Sequence, residues 1–472
     1  MPSRPAPYAR SVPDERFSIA QVSPYPWEQH HEVNRYVERL SDELCRRGHR
    51  VVVVAPSDSR DLVKESREVV KSCADDPELV FAGAGCAQVL GVGQSIPFPS
   101  SRSASVSLPI DVSRTIEELF ERASFDFVHV HEPFAPSAAS AALRHSRALN
   151  VGSFHSPTDR LLSTGPGRKL VDLLFGRLDG RSASYGVTRD LVARYFPGDY
   201  SVIGPGADVA PGEHPERELV EIVFSHEEER ASLRTFLRAL RQLPAELPWQ
   251  ATVWSRLEGS EPAVPLPRRI RDRVQFAGPS DRSEAQQLAR ADIVVAASSG
   301  AAPAPQMLIR AMAGGAVPVA ARLPVYEELL AEGERGLLFE PRDTDTLAAQ
   351  VARLVGDTAL RTQLRQSLNG ARPDLSWERV AEEFEELYGR IAARRHDPVG
   401  KPAVRKRLQG RKLIHVDLHM HTNHSHDCAT PVDKLIETAK ARVLGAIAIT
   451  DHNEISGALE ARERADGLKV IV

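Results

Sequence analysis

His419 and His421 stand two positions apart in the apolar run KLIHVDLHMH. If that run is a strand, its period of two points both imidazoles to the same side. Asp427 follows in a loop that can fold back, and the next apolar run, GAIAIT, ends at Asp451 and His452. His419, His421, Asp427 and His452 are therefore expected to converge at the C-terminal ends of adjacent parallel strands, where barrel enzymes build their sites. Imidazoles mixed with a carboxylate suit zinc, manganese or iron. A divalent metal held there would act as a Lewis acid and activate a bound water. The bland alternative is a surface histidine cluster, but that does not explain two spaced motifs that both fall at strand ends. His424 and His426, in the same loop, are read as solvated, with His426 the alternative ligand to Asp427.

The elements that must position these groups are a strand from about Leu413, the helix PVDKLIETAKA, the strand GAIAIT and a last apolar run, LKVIV. DLHMHT and ITDHN resemble the first two motifs of the PHP superfamily, the polymerase-associated and histidinol-phosphatase-like phosphoesterases. The resemblance implies metal-dependent phosphoester hydrolysis, with Asp417 and Asp451 orienting the ligating imidazoles. It also implies further ligands after the next strand, so residues 413–472 are expected to be an incomplete PHP domain in a sequence cut short.

The preceding residues alternate strand and helix. FSIAQVSP reads as a strand, VNRYVERLSDELCRRG as an amphipathic helix stopped by Gly48, and RVVVVAP as a buried strand. FDFVHVHE, NVGSFHS and YSVIG continue the pattern. A Gly/Pro-rich stretch from Gly204 to Pro215 reads as a hinge. The strands ELVEIVFS, QATVWS, VQFAG, ADIVVAAS and AVPVAA then form a second alternation, closed by the amphipathic helix SWERVAEEFEELYGRIAARR. The expected fold class is α/β, two Rossmann-like doubly wound lobes followed by the opening βαβ portion of a (β/α) barrel. The expected domains are a disordered lead-in at 1–16, lobes at 17–205 and 206–395 with a closing helix at 377–395, a basic linker at 396–412 and the metal-binding segment at 413–472.

The strings ELCRRGHRVVVVAP, FDFVHVHEP, DLVARYFPGDYSVI, AMAGGAVPVA and ERGLLFEPRDTDTLA occur in an order and spacing that resemble the family 4 retaining glycosyltransferases of GT-B type. The resemblance implies a nucleotide-sugar or sugar ligand in the inter-lobe cleft and makes His131, which closes FDFVHVH, the acceptor-side catalytic histidine. Against that pattern, His31 and Glu32 stand where the family has phosphate-facing glycines. His226 and Ala231 replace an arginine and a lysine, and Ala302 and Arg310 replace a pair of glutamates. Losing both cations removes the electrostatic help given to a departing diphosphate. Arg310 is expected to be a partly exposed helix residue.

The bulk composition excludes little. Of 472 residues, 42% are hydrophobic and 26% charged, the balance of globular domains, and a net charge of -4 gives no argument for nucleic-acid binding. No apolar run reaches the ~18 residues of a membrane span. The four cysteines lack CxxC spacing, so neither a disulfide framework nor a cysteine zinc site is expected. The N-terminus lacks the apolar core of a secretory signal, and the expected location is cytoplasmic. Arginine over lysine and abundant alanine point to a GC-rich bacterial genome. The leading functional expectation is a glycosyltransferase-like region with a degenerate donor site, fused to a truncated PHP phosphoesterase. The alternatives are an active transferase with unusual donor contacts and a non-catalytic sugar- or partner-binding scaffold.

Overall fold

The computed structural model describes residues 16–82, 87–97, 105–107, 109–135, 138–155, 174–210, 212, 214, 217–256, 266–395 and 414–472. The expected lead-in (apart from Arg16) and the expected basic linker lie outside the described residues. The chain divides into two compact units, residues 1–395 and 396–472.

The first unit contains two sheets. In the first lobe the strands β1 (Ser18–Val22), β2 (Arg50–Ser57), β3 (Gln88–Pro97), β4 (Ser105–Ser107), β5 (Phe127–His131), β6 (Leu149–Phe154), β7 (Gly180–Ala183) and β8 (Ser201–Val202) run in the order β4-β3-β2-β1-β5-β6-β7-β8. All pairs are parallel except β3 with β4. In the second lobe β9 (Val220–Ser225), β10 (Trp249–Trp254), β11 (Val274–Ala277), β12 (Ile293–Ala296), β13 (Val317–Ala321) and β14 (Leu337–Phe339) form an all-parallel sheet, β11-β10-β9-β12-β13-β14. Strands buried on both faces need apolar side chains at every position, which is why Val51–Ala55 and Ile293–Ala296 are unbroken apolar runs. The sequence reading did not mark β3, β4, β7 or β14. The last two span four and three residues, too few for a strand period to show.

In each sheet the strand order reverses once, between β1 and β5 and between β9 and β12. Such switch points open a crevice beyond the carboxyl ends of the strands, and ligands of open α/β sheets bind there. The long helix Trp377–Arg395 belongs to the second half of the unit by sequence but packs on the first lobe. Val380, Phe384, Leu387 and Ile391 are buried in one cluster with Ile19, Tyr36 and Phe127. Arg47 fixes it further through two hydrogen bonds to Glu385, at 2.9 and 2.8 Å. Gly180 lacks a side chain where this helix presses closest, since a Cβ there would collide with Ile391.

The second unit is a parallel sheet of β15 (His415–Met420), β16 (Leu444–Ile449) and β17 (Lys469–Ile471), in that order. The helices Val432–Ala441 and Ser456–Arg464 cover it through Leu435, Ile436, Ala458 and Ala461, packed on Ile447 and Ile449.

Candidate functional sites

At the switch point of the second lobe, β9 ends at Ser225 and the chain continues as His226-Glu227-Glu228-Glu229 before the helix Arg230–Leu240. These carboxylates are all engaged by the protein itself. Glu227 accepts from Arg310 at 2.9 Å through both oxygens. Glu228 accepts from the Tyr326 hydroxyl at 2.6 Å and from the Ala297 amide at 2.7 Å. Glu229 fills the turn after β12, accepting from the amides of Ser299 and Ala302 at 2.6 and 3.2 Å and from the hydroxyls of Ser298 and Ser299 at 2.8 Å each. Backbone amides gathered in a turn beyond a strand are the groups an anion would use, and here a side chain uses them.

Arg310 is 3% exposed, so the expectation of a partly exposed helix residue is corrected. Its helix, Pro305–Gly314, is buried on every side from Met307 onward and has no solvent face to offer. A guanidinium is tolerated there because three carboxylates surround it: Glu227, Glu284 at 3.3 Å and Glu32 at 3.2 Å. Glu32 belongs to the first lobe, opening the helix Glu32–Arg46, and His31 caps that helix by accepting from the Val33 amide at 3.1 Å. Burial pushes Glu227 up to about 8 against the pull of Arg310. Burial acts the same way on Glu284, but Arg310 and the neighbouring hydrogen bonds outweigh it and hold that carboxyl low. Burial also lifts Glu228 to about 7. The cleft beside this cage has a volume of about 380 Å³, and Glu32, Arg35, His155, Tyr185, Glu227 and Arg256 are among its lining residues.

His131 was expected to point into the cleft. Instead it is fully buried at the end of β5, and His155 takes the place at the cleft wall. The physical reason is a polar chain that holds the ring inward. His131 Nε2 meets Gln21 Oε1 at 2.8 Å, and its Nδ1 meets His155 Nε2 at 2.9 Å. His155 Nδ1 meets the Ser184 hydroxyl at 2.8 Å. Because the Gln21 oxygen can only accept, the hydrogen-bond pattern assigns the proton to Nε2 of both imidazoles. Every ring nitrogen in the pair is then committed. His129 forms a second branch, between the Tyr388 hydroxyl at 2.8 Å and Ser153 Oγ at 2.6 Å.

In the second unit, donor atoms of His421, Asp427 and His452 lie within 4.8 Å of one another. His421 Nδ1 is 3.1 Å from Asp427, His452 Nε2 is 3.4 Å from Asp427, and His419 Nε2 is 3.2 Å from His421 Nε2. Three of the four sequence-proposed ligands, His421, Asp427 and His452, thus come together, while His419 approaches the opposite ring nitrogen of His421; two imidazoles with a carboxylate are a donor set that fits a divalent transition metal. The Ser425 hydroxyl and His421 hold the Asp427 carboxyl well below the ordinary range, ready as an anionic ligand. Asp417 and Asp451 do not orient the imidazoles. Asp451 accepts from the Thr422 amide and hydroxyl, both at 2.6 Å, and Asp417 accepts from the His419 amide at 3.1 Å, so each fixes backbone. His424 is not solvated either, because its ring bridges Ser456 at 2.8 Å and Glu460 at 2.9 Å.

Residues 33–211 match the Glycosyltransferase Family 4 model, residues 222–357 match Glycosyl transferases group 1, and residues 417–472 match the PHP domain. The two lobes thus carry glycosyltransferase family models of GT-B type, and the second unit carries a partial match to the PHP domain. It is 26% identical to a phosphatidyl-myo-inositol mannosyltransferase of Mycolicibacterium smegmatis, over 73% of this chain and 86% of the relative. Its fold is similar to that of a sucrose-phosphate synthase from Thermosynechococcus elongatus, with TM-score 0.58, 18% identity and coverage of 80% of this chain and 100% of that one. It is also similar to the Anabaena protein HepE in complex with UDP and glucose, with TM-score 0.56, 16% identity and coverage of 79% and 99%. Among the described residues no helix is long and apolar enough to cross a membrane.

In the GT-B region the residues that sequence reasoning missed are Glu227, Glu228, Glu229, Glu284 and Tyr326. The run of three glutamates directly after an apolar strand was the available signal. Their burial, with that of the histidines, sets an expected pH profile for this region. Burial holds His129 and His155 down to about 3 and His131 well below its ordinary 6.5. The unfolded chain therefore binds more protons below 6.5, and the stability these rings give is lost as pH falls through that range. Glu227 and Glu228, raised to about 8 and about 7, act with the opposite sign. Their contribution is present below about 4.5 and is lost as pH rises toward their folded values. Three imidazoles outweigh two carboxyls on the acid side, so urea denaturation should show maximal stability near pH 6.5. Each proton should contribute a slope of at most about 1.4 kcal/mol per pH unit. Stability that keeps rising from pH 6.5 to 8 would reject the assignment for the glutamates.

Proposed function

We propose that the GT-B region is a non-catalytic binding module whose donor-phosphate site is filled by the protein's own carboxylates, and that the chemistry of the chain belongs to the PHP region. The observation that carries the first part is the Arg310 cage. The cation in the switch-point crevice is already held by Glu227, Glu284 and Glu32, two of which line the cleft. A nucleotide diphosphate would have to displace a carboxylate and then lie against the others, in a low-dielectric place where repulsion is strong. His131, the one acceptor-side match to the family, has no free ring nitrogen to serve as a base.

For the PHP region, His419, His421, Asp427 and His452 are the residues that would hold a divalent metal, whether zinc, manganese or iron. Such an ion, when bound, supplies Lewis acidity toward phosphoesters and a water acidic enough to ionise near neutral pH. The protein's part is to present neutral imidazoles and an ionised Asp427, the latter secured by Ser425 and His421.

An active transferase with unusual donor contacts is the competing reading, and the lengthwise similarity to mannosyltransferases favours it. Titration calorimetry with UDP- and GDP-sugars separates the two. The expected result is no binding tighter than about 1 mM, a binding free energy of about 4 kcal/mol or less. Micromolar binding that is lost on substituting cleft residues would overturn the proposal.

A further inference from the structure

The three residues whose donor atoms converge in the second unit come from two loops. His421 and Asp427 belong to the loop after β15, and His452 to the loop after β16. Any play between the two loops has to be frozen out when an ion enters, and that costs affinity.

His421 is followed directly by Thr422, and His452 is preceded directly by Asp451. These two neighbours meet. The Thr422 amide donates to Asp451 Oδ1 and the Thr422 hydroxyl donates to Asp451 Oδ2, both at 2.6 Å. The same hydroxyl oxygen accepts from the His424 amide at 3.2 Å, so its own proton is committed to the carboxylate. Thr422 is fully buried and Asp451 nearly so. Water therefore does not compete for these bonds, and the grip is stiff. A second tie lies three residues on, where the His452 amide donates to the Ser425 hydroxyl at 3.2 Å. The helix Ser456–Arg464 is built around the grip. Gly457 has no side chain where a Cβ would stand 2.2 Å from Asp451 Oδ2 and 2.4 Å from Thr422 Oγ1.

We propose that Thr422 is a positioning residue of this metal site. Its hydroxyl, held by Asp451, keeps the loop carrying His421 and Asp427 in register with the loop carrying His452. The inference rests on the reading that those three residues hold a divalent metal. It makes metal affinity depend on the hydroxyl of Thr422 and not on its methyl group. Packing alone would rank the variants the other way, since valine preserves the shape of threonine and serine does not.

The test is titration calorimetry of the full chain with zinc alone and with manganese alone, on the wild type and on Thr422→Val, Thr422→Ser and Thr422→Ala. Thr422→Val should weaken the metal by about tenfold or more, the usual cost of removing a group behind a ligand, and Thr422→Ser should stay within about threefold of the wild type. Thr422→Ala lacks the methyl group, as serine does, but also lacks the hydroxyl, and should fall with valine. Circular dichroism of the metal-free proteins reports whether the unit stays folded. If Thr422→Val unfolds it, the serine and alanine variants make the same comparison. Serine as weak as alanine, or Thr422→Val within about twofold of the wild type, overturns the inference. A wild type that binds neither metal overturns the metal-site reading itself, and this inference with it. Wild-type binding with unchanged Thr422 variants overturns this inference alone.

Discussion

Arg310→Ala should destabilise the GT-B region by about 3–5 kcal/mol, because removing one partner of a buried ionic cluster leaves the others uncompensated. Arg310 is 3% exposed and holds Glu227, Glu284 and Glu32, so its loss strands negative charge between the two lobes. Two companion variants identify the cause. Glu227→Gln should cost less than about 1 kcal/mol, since glutamine mimics the protonated acid, and burial already raises this carboxyl to about 8. The triple variant Arg310→Met/Glu227→Gln/Glu284→Gln should recover most of the loss, because a neutral, well-packed core can replace a buried ion cluster at little cost. Urea denaturation of all three proteins measures this. An Arg310→Ala loss below about 1 kcal/mol would mean that the cage contributes no more than a surface ion pair, and the account of the crevice would fail.

A His419→Ala/His421→Ala double variant should lower affinity for zinc or manganese by more than about 100-fold. Loss of a partner behind a ligand commonly costs about 10–100-fold, and removal of direct ligands should cost more. His419 Nε2 and His421 Nε2 lie 3.2 Å apart, and His421 and His452 flank Asp427 at 3.1 and 3.4 Å, so the double variant removes one side of the donor set. Calorimetry and metal content after dialysis give readouts that do not depend on turnover. Because the imidazoles must be neutral to ligate, acidification should release the metal from the wild type. Asp427→Asn, which keeps size but removes the charge, should fall between wild type and the double variant. Full metal content in the histidine double variant would reject the site.

Much of this protein is legible along the chain. Unbroken apolar runs such as Val51–Ala55 and helical spacing in Trp377–Arg395 fix the two lobes and the closing helix, and His421 and His452 at the ends of two such runs mark a group that could hold a metal. These signals are local. Strand period and helix period depend on neighbours a few residues apart, and a strand end places its side chains wherever the parallel partner ends.

What the chain could not show is where a charged side chain finds its partner. Arg310 read as a surface residue because arginines on helices usually are, and only packing revealed a helix enclosed on all sides. Its partners Glu32, Glu227 and Glu284 lie far from it in sequence and come from three different elements. His131 read as a cleft residue from its place at a strand end, but Gln21 on β1 and His155, just past the end of β6, turn it inward. The sequence by itself determined which elements form and where chemistry-bearing residues fall on them. The tertiary structure alone decided which charges cancel, because Coulomb energy and desolvation depend on distance and burial, and neither is a property of local sequence.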